Sequence, residues 1–259
     1  MLNYFQAIIL GIVEGATEYL PISSTFHLIW SSRLLGLNQS EFQKLFEVFI
    51  QIGSIAAVGL IYFQTILKDR KLMMKVATSF IPTAVVGLLL YKVIKNVFFV
   101  NSWLQLAVFL IVGAVFILFE RTNNRKLFSR DLSGISYKEA MLVGLVQALA
   151  VVPGVSRAGA VIICLMFLKF RRDEAARYSF LLALPTISAA ALLDLVKMRS
   201  EVIGQNGNIV LLLIGTMAAF FSAMIVVKWL IKYLQNHSME VFGWYRVALG
   251  ILLLIFVAR

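Results

Sequence analysis

The feature that most constrains this chain is a series of long segments that contain almost no charged residue. They lie at 48–67, 76–91, 96–119, 178–193, 202–227 and 241–258, and only the last contains a charge, that of Arg246. A helix needs about 20 mainly apolar residues to cross the hydrocarbon core of a bilayer. The sequence therefore predicts an all-α integral membrane protein with six transmembrane helices.

Composition excludes several other classes of protein. Of the 259 residues, 61% are hydrophobic and 14% are charged, whereas soluble domains carry about 25% charged residues. A cytosolic enzyme, a disordered chain and a secreted scaffold are thereby excluded. The only cysteine, Cys164, has no partner for an intramolecular disulfide or a cysteine-based zinc site. The net charge of +11 comes from short basic clusters between apolar segments, as in cytoplasmic loops, so we expect no nucleic-acid partner.

Two further apolar segments, 1–32 and 140–168, are interrupted in the middle by polar residues and by Pro21 or Pro153. A break in a helix frees backbone groups, which within a bilayer must be buried in protein or face a wet cavity. The two segments are therefore predicted to be re-entrant helical hairpins.

The two broken segments also belong to an internal repeat. Matching stretches are Gly11-Ile12-Val13-Glu14 with Gly144-Leu145-Val146-Gln147, Pro21-Ile22-Ser23-Ser24 with Pro153-Gly154-Val155-Ser156, and 52–57 with 185–190, at offsets of 132 or 133 residues. One membrane domain, 1–259, would then contain two repeats at about 1–125 and 133–259, each a hairpin followed by three spans. Because three is odd, the second repeat would have inverted topology, as in many transporters.

The distribution of basic residues predicts the orientation. One face would receive 15 of them: Lys68, Arg70, Lys71, Lys75, Arg121, Arg125, Lys126, Arg130, Lys138, Lys169, Arg171, Arg172, Arg177, Lys228 and Lys232. The other would receive 7: Arg33, Lys44, Lys92, Lys95, Lys197, Arg199 and Arg259. The positive-inside rule places the first face in the cytoplasm and both termini outside.

The first hairpin contains a set of reactive side chains. Glu14 and Glu18 would share one helix face, one turn apart, where they must share a proton, bind a cation or face water. Oxygen ligands suit Mg²⁺ or Ca²⁺, and the alternative is a solvent-facing pair at a helix end. Ser24 and His27 have the spacing of a nucleophile and its general base, but a serine after a proline is also an ordinary helix N-cap.

The second hairpin contains a small-residue turn that precedes an apolar helix predicted at 161–168. Backbone amides at a helix N-terminus, next to the guanidinium of Arg157, would bind an anion such as phosphate. The alternative for Arg157, and more easily for Arg246, is a side chain that reaches to the membrane surface. Carboxylates, a hydroxyl, an imidazole and two arginines together suggest phosphoryl transfer to or from a lipid-borne phosphate.

Three motifs, together with Phe180–Pro185 and Tyr245-Arg246, resemble the undecaprenyl-diphosphate phosphatase family, which is associated with bacitracin resistance. They read Glu-Gly-Ala-Thr-Glu-Tyr-Leu-Pro-Ile-Ser-Ser-Thr-Phe-His at 14–27, Phe-Glu-Val-Phe-Ile-Gln-Ile-Gly-Ser at 46–54, and Pro-Gly-Val-Ser-Arg at 153–157. The resemblance implies a multi-pass enzyme of the bacterial plasma membrane. It would remove the terminal phosphate from undecaprenyl diphosphate and so regenerate the lipid carrier for peptidoglycan and other wall polymers.

The resemblance also implies roles for individual residues. Catalysis would fall to Glu14, Glu18, Ser24, His27 and Arg157, with the two glutamates also holding the divalent cation, and substrate binding to Ser23, Thr25, Gly154, Ser156 and Arg246. The active site would open to the outer face, and a homodimer is one alternative for the oligomeric state. The family usually has hydroxyl residues where this chain has Ala158 and Val161, and the loss of these two hydroxyls would slow catalysis modestly. Phe26 stands where glycine is usual in the family. A flippase for polyprenyl phosphate and a noncatalytic protein that sequesters the lipid diphosphate are the rival functions.

Overall fold

A computed structural model describes residues 2–38, 40–93, 101–123, 128–197 and 206–257. Within these residues the chain forms α-helices, two short 3₁₀ turns and no β-strand. The helices are α1 Tyr4–Thr17, α2 Ser24–Leu34, α3 Glu41–Phe49, α4 Gln51–Ile61, α5 Phe63–Lys68, α6 Arg70–Val93, α7 Ser102–Thr122, α8 Tyr137–Gln147, α9 Arg157–Phe167, α10 Arg172–Lys197, α11 Asn206–Asn236 and α12 Glu240–Val257.

Five stretches of helix in the described part of the chain are long and apolar enough to cross a membrane: Glu41–Ile61, Arg70–Leu90, Ser102–Thr122, Arg172–Val196 and Ile209–Asn236. The shortest has 21 residues, which corresponds to about 31 Å at 1.5 Å per residue. The prediction of an all-α integral membrane protein is therefore confirmed, and the protein is multi-pass. The sixth predicted span coincides with α12, an apolar helix of 18 residues.

The predicted bounds of the first span were wrong. Expected at 48–67, this segment begins at Glu41, where the side chain of Ser40 caps α3 by accepting from the backbone of Gln43. The predicted span starts directly after the charged residue Glu47. In the structure the carboxylate of Glu47 accepts hydrogen bonds from Ser32 and Gln43 inside the protein. Because its charge is bonded internally, Glu47 does not interrupt the apolar segment.

Both predicted breaks are present and both give helical hairpins, in which α1 packs against α2 and α8 packs against α9. The first break lies between Thr17 and Ser24, and Ser23 there has a φ of 70°. The second follows a 3₁₀ turn at Ala148–Val151 and contains Gly154 with a φ of 102°. The second helix starts at Arg157 rather than at 161, because Ser156 caps it. Re-entry of these hairpins into the membrane stays a prediction.

The first helix of each hairpin packs against a helix from the other half of the chain. Helix α1 packs on α11, and a Cβ added to Gly11 would lie 2.3 Å from the carbonyl oxygen of Gly215. Helix α8 packs on α6, and a Cβ at Gly144 would lie 2.0 Å from the carbonyl oxygen of Ser79. Glycine thus permits close helix contact at matching positions of the two halves. The repeat boundaries and the inverted orientation stay predictions.

Ion pairs bring several of the predicted cytoplasmic arginines to one end of the helices. Arg130 pairs with Glu139, and Arg172 pairs with the buried Glu120. At the opposite end Arg33 donates to the Ser102 hydroxyl at 2.8 Å. The orientation itself stays a prediction, and part of the charge count lies outside the described residues: Lys95, Arg125, Lys126, Arg199 and Arg259, with the side chains of Lys92 and Lys197.

Candidate functional site

The two broken segments meet at a cavity of about 150 Å³. The first hairpin contributes a carboxylate and three hydroxyls, and the second contributes a hydroxyl, a guanidinium and apolar side chains. The lining residues are Glu18, Ser23, Ser24, Thr25, Gln51, Ala150, Val155, Ser156, Arg157 and Ile187. Predicted site residues from both hairpins therefore lie around one cavity, although their order in the sequence separates them by more than 130 positions.

An ion pair connects the hairpins across this cavity. Arg157 donates to Oε1 of Glu18 through Nη2 at 3.0 Å and Nε at 3.3 Å, and both side chains are almost fully buried. Its third donor, Nη1, bonds to the carbonyl oxygen of Ser179 at 2.9 Å. Arg157 is the first residue of α9, directly after the Ser156 cap, whose hydroxyl accepts from the amide of Gly159 at 3.1 Å. The cap thus places a fixed guanidinium beside the carboxylate.

The hydroxyl of Ser24 donates to the other oxygen of the same carboxylate, Oε2 of Glu18. Glu18 therefore contacts a cation with one oxygen and a potential nucleophile with the other. A carboxylate within hydrogen-bond reach of a hydroxyl can accept its proton when the oxygen attacks. The pair has the geometry of a nucleophile and its general base.

The structure contradicts the predicted pairing of Ser24 with His27. Nδ1 of His27 is bonded to the carbonyl oxygen of Ser23 at 2.8 Å, and Nε2 is bonded to the hydroxyl of Tyr245 at 2.8 Å. The spacing of three residues does place both side chains on one side of α2. The imidazole of His27, however, bonds to the residue four positions earlier in the chain and to a residue of α12. His27 does not line the cavity, and Glu18 takes the position expected of the base.

Glu14 lies one helical turn before Glu18 and is fully buried. Neither of its carboxylate oxygens has a hydrogen-bond partner within the part of the chain that the structure describes. Burying an unpartnered carboxylate is costly unless a cation or a proton compensates for it. No group of three or more histidine, cysteine or acidic side chains forms a metal cage among the described residues, but Mg²⁺ commonly uses one or two carboxylates plus substrate phosphates. Glu14 does not itself line the cavity, but its two unpartnered oxygens lie one turn from Glu18, which does, and so fit a divalent cation of that kind.

Arg246 occupies a different position from the predicted one. It is fully buried and does not line the cavity. Its guanidinium donates to three backbone carbonyls, those of Phe109 at 3.1 Å, Pro21 at 3.4 Å and Gly154. The last two carbonyls belong to the two breaks, so Arg246 holds the two turns together, and each of its three nitrogens is bonded to a backbone carbonyl. That Arg246 also binds substrate stays a prediction.

The remaining predicted binding residues fall into two groups. Ser23, Thr25 and Ser156 line the cavity. Gly154 does not line it and instead forms the turn, because a Cβ there would lie 2.7 Å from the carbonyl oxygen of Gln105 and the φ of 102° disfavours other residues. The contact of Gly154 with substrate stays a prediction.

The departures from the family pattern lie away from the cavity. Ala158 and Val161 are fully buried in the main hydrophobic cluster and do not line the cavity. Phe26 is also buried, and its ring stacks on that of Phe109 with centroids 3.9 Å apart. The changed side chains therefore pack as core residues, and the polar lining of the cavity does not depend on them.

Two residues around the site were missed by the sequence reasoning. Gln51 lines the cavity from the first turn of α4. It belongs to the motif at 46–54, and an amide in an otherwise apolar segment was the available signal. Tyr245 bonds to His27 from 218 positions away, and no local pattern indicates that contact.

Comparison with known proteins gives a consistent result. A family model described as bacitracin resistance protein BacA matches residues 7–252. Three similar proteins are all named undecaprenyl-diphosphatase. The one from Aquifex aeolicus is 42% identical over 95% of this chain and 96% of its own length, and the one from Sulfurihydrogenibium sp. is 45% identical over 95% of this chain and 96% of its own length. The one from Campylobacter fetus is 42% identical over 99% of this chain and 100% of its own length. The matches cover nearly the whole of each chain. The protein therefore belongs to the BacA family of bacitracin resistance proteins.

Proposed function

We propose that the protein is a membrane phosphatase that hydrolyses undecaprenyl diphosphate to undecaprenyl phosphate and phosphate. One observation carries the proposal: Glu18 bonds both to the hydroxyl of Ser24 and to Arg157 at the wall of one cavity. A nucleophile, a base and a guanidinium are the parts that phosphoryl transfer needs. The names of the relatives supply the substrate, and they do not favour transport or sequestration of the lipid.

In the first step, Oγ of Ser24 attacks the terminal phosphorus. The bond between Oγ and phosphorus forms, the bond from phosphorus to the bridging oxygen breaks, and undecaprenyl phosphate leaves. The Ser24 proton passes to Oε2 of Glu18. Arg157 bonds to the other oxygen of that carboxylate and lines the same cavity. Its positive charge neutralises phosphate oxygens as charge moves onto the leaving group. Water then attacks the phosphorus of the phosphoserine, and the bond between phosphorus and Oγ breaks. Oγ takes back the proton from Glu18, which restores the hydroxyl, and phosphate is released.

The oxygens of Glu14, together with Glu18, would hold the divalent cation, Mg²⁺ or Ca²⁺. When bound there, such an ion neutralises phosphate charge and helps to orient the diphosphate. The unpartnered carboxylate of Glu14 supports this assignment. Ser23, Thr25 and Ser156 contribute hydroxyls, and Gln51 contributes an amide, to the oxygens of the two phosphates.

The proposal extends to the place of the enzyme in the cell. The chain resides in the bacterial plasma membrane with both termini outside, as the bias of basic residues predicts, and its active site opens to the outer face, as the resemblance to the family implies. It regenerates the lipid carrier for cell-wall synthesis, and a homodimer is its proposed assembly.

Phosphate release from undecaprenyl diphosphate by the detergent-purified protein tests the proposal, in Mg²⁺, in Ca²⁺ and in EDTA. We expect release with a divalent cation, none in EDTA, and none from Arg157→Ala. The matched control is Arg121→Ala, which removes an exposed arginine paired with Glu240 far from the cavity and should release phosphate at the wild-type rate. Folded wild-type protein that releases no phosphate with either cation would refute the proposal.

A further inference from the structure

Tyr245 contacts His27 closely, although neither residue lines the cavity. Its hydroxyl is 2.8 Å from Nε2 of the imidazole, and the two rings are nearly parallel, with an angle of 11° and centroids 5.7 Å apart. Phe109 packs edge-on against the same imidazole, with ring centroids 5.8 Å apart. The imidazole is therefore held by α12 on one side and by α7 on another.

The carbonyl of Ser23 determines which nitrogen of this imidazole carries a hydrogen. A carbonyl oxygen can only accept, and that of Ser23 is 2.8 Å from Nδ1 of His27. Nδ1 is therefore the donor, so in the neutral ring Nε2 accepts the hydroxyl hydrogen of Tyr245. The hydrogen bonds run in one direction, from Tyr245 through His27 to the backbone of Ser23.

Ser23 is the residue whose backbone most needs such support. Its φ of 70° and ψ of 91° lie in a region that residues other than glycine rarely adopt. Strained conformations of this kind persist only where the surroundings fix them, and they are concentrated at functional sites. The carbonyl of Ser23 accepts from both Nδ1 and the backbone amide of His27, the latter at 3.2 Å. The next residue, Ser24, is the one that donates to Glu18.

We propose that Tyr245 is a positioning residue for the phosphatase reaction. Tyr245 acts through His27 on the backbone of Ser23 and so orients the Ser24 hydroxyl toward Glu18. The proposal rests on the proposed function, because it assigns Ser24 the attack on phosphorus. His27 is thereby a positioning residue too, since both of its nitrogens are bonded away from the cavity.

The neighbouring residue supports this role from a second direction. Arg246 follows Tyr245 in α12 and donates directly to the carbonyl of Pro21 at 3.4 Å. Consecutive residues of a helix point about 100° apart, because 3.6 residues make one turn. Helix α12 thus fixes the first break at two places, at Pro21 directly and at Ser23 through the imidazole.

The first test is Tyr245→Phe, which keeps the ring and removes only the hydroxyl. We expect kcat for undecaprenyl diphosphate to fall about tenfold, because a small misplacement of a reacting group is costly. KM should change by less than about twofold, because no contact with substrate is lost. The melting temperature should not change. The matched control is Tyr137→Phe, which removes the hydroxyl of a similarly exposed tyrosine and should leave both constants as in the wild type.

Two substitutions of His27 separate positioning from proton transfer. The amide nitrogen of His27→Asn can replace Nδ1 as the donor to Ser23, whereas the longer His27→Gln places its amide near the position of Nε2. We expect kcat of the asparagine variant to exceed that of the glutamine variant about tenfold. Adding Tyr245→Phe to His27→Asn should cause no further loss, because the hydroxyl acts only through the imidazole.

The proposal is overturned if Tyr245→Phe has the kcat of the wild type. It is also overturned if the fold-loss of kcat in the double variant equals the product of the fold-losses in Tyr245→Phe and His27→Asn. Equal inactivity of the asparagine and glutamine variants would also overturn it, since a proton-transfer role for His27 gives that result. These outcomes presuppose an active wild type and leave the phosphatase intact. Wild-type protein without any phosphate release would instead refute the proposed function, and this proposal with it.

Discussion

The most informative single change is Glu18→Gln, because this carboxylate contacts both Arg157 and Ser24. The amide oxygen of glutamine can still accept from Arg157, but no atom remains that can take the proton of Ser24. General bases contribute about 10²–10⁴ in rate, which is about 3–6 kcal/mol at 1.4 kcal/mol per tenfold. We therefore expect kcat to fall by at least about 100-fold and KM to change by less than about threefold.

The same change also weakens a buried ion pair, so stability must be measured beside activity. Glu120→Gln is the matched control, since Glu120 is equally buried and pairs with Arg172 at the far end of the helices. Breaking a buried pair costs up to about 3–5 kcal/mol, and both variants should lose part of that, seen as a lower melting temperature in detergent. Only Glu18→Gln should lose phosphate release. If the two variants lost activity to the same extent, Glu18 would act through stability and the assignment as base would be refuted.

Three further predictions follow from the geometry of the site. Glu14→Gln should raise the Mg²⁺ concentration for half-maximal activity at least about tenfold, and an unchanged requirement in a metal titration would exclude Glu14 as a ligand. Arg246→Lys should lower the melting temperature by about 5 °C or more, because one ammonium cannot replace three guanidinium bonds to carbonyls; an unchanged melting temperature with a raised KM would instead indicate contact with substrate. Gln51→Leu should raise KM about tenfold and leave kcat within about threefold, because it removes a hydrogen bond to a charged phosphate, and steady-state kinetics with an unaltered KM would contradict that contact.

Much of the architecture could be predicted from the sequence because its signals are local. Charge-free segments long enough to span a bilayer and breaks at Pro21 and Pro153 depend on neighbouring residues alone. The acidic, hydroxyl and guanidinium side chains that meet at the cavity could also be identified, since ionisable residues in apolar segments are rare and costly. Their meeting across 139 positions, as between Glu18 and Arg157, depends on how the two hairpins pack against each other, which no local pattern shows.

Hydrogen-bond partners could not be predicted, because they depend on side-chain direction and on contacts distant in sequence. The spacing of Ser24 and His27 permits a bond between them, but it does not reveal that Ser23 and Tyr245 already occupy both ring nitrogens. Likewise, an arginine five residues inside the last span gives no sign that three backbone carbonyls surround its guanidinium. Residue types therefore indicated the chemistry of the site, whereas the division of roles required the structure.

The central claim is that Ser24 attacks the terminal phosphorus with Glu18 as its base. The most direct measurement is phosphate release from undecaprenyl diphosphate by Ser24→Ala. The control is Ser222→Ala, which removes a hydroxyl of α11 that donates to the carbonyl oxygen of Ile12 in α1. We expect Ser24→Ala to retain less than about one hundredth of the wild-type kcat, with the control at the wild-type rate. Retention of more than about a tenth of the activity by Ser24→Ala would contradict the account.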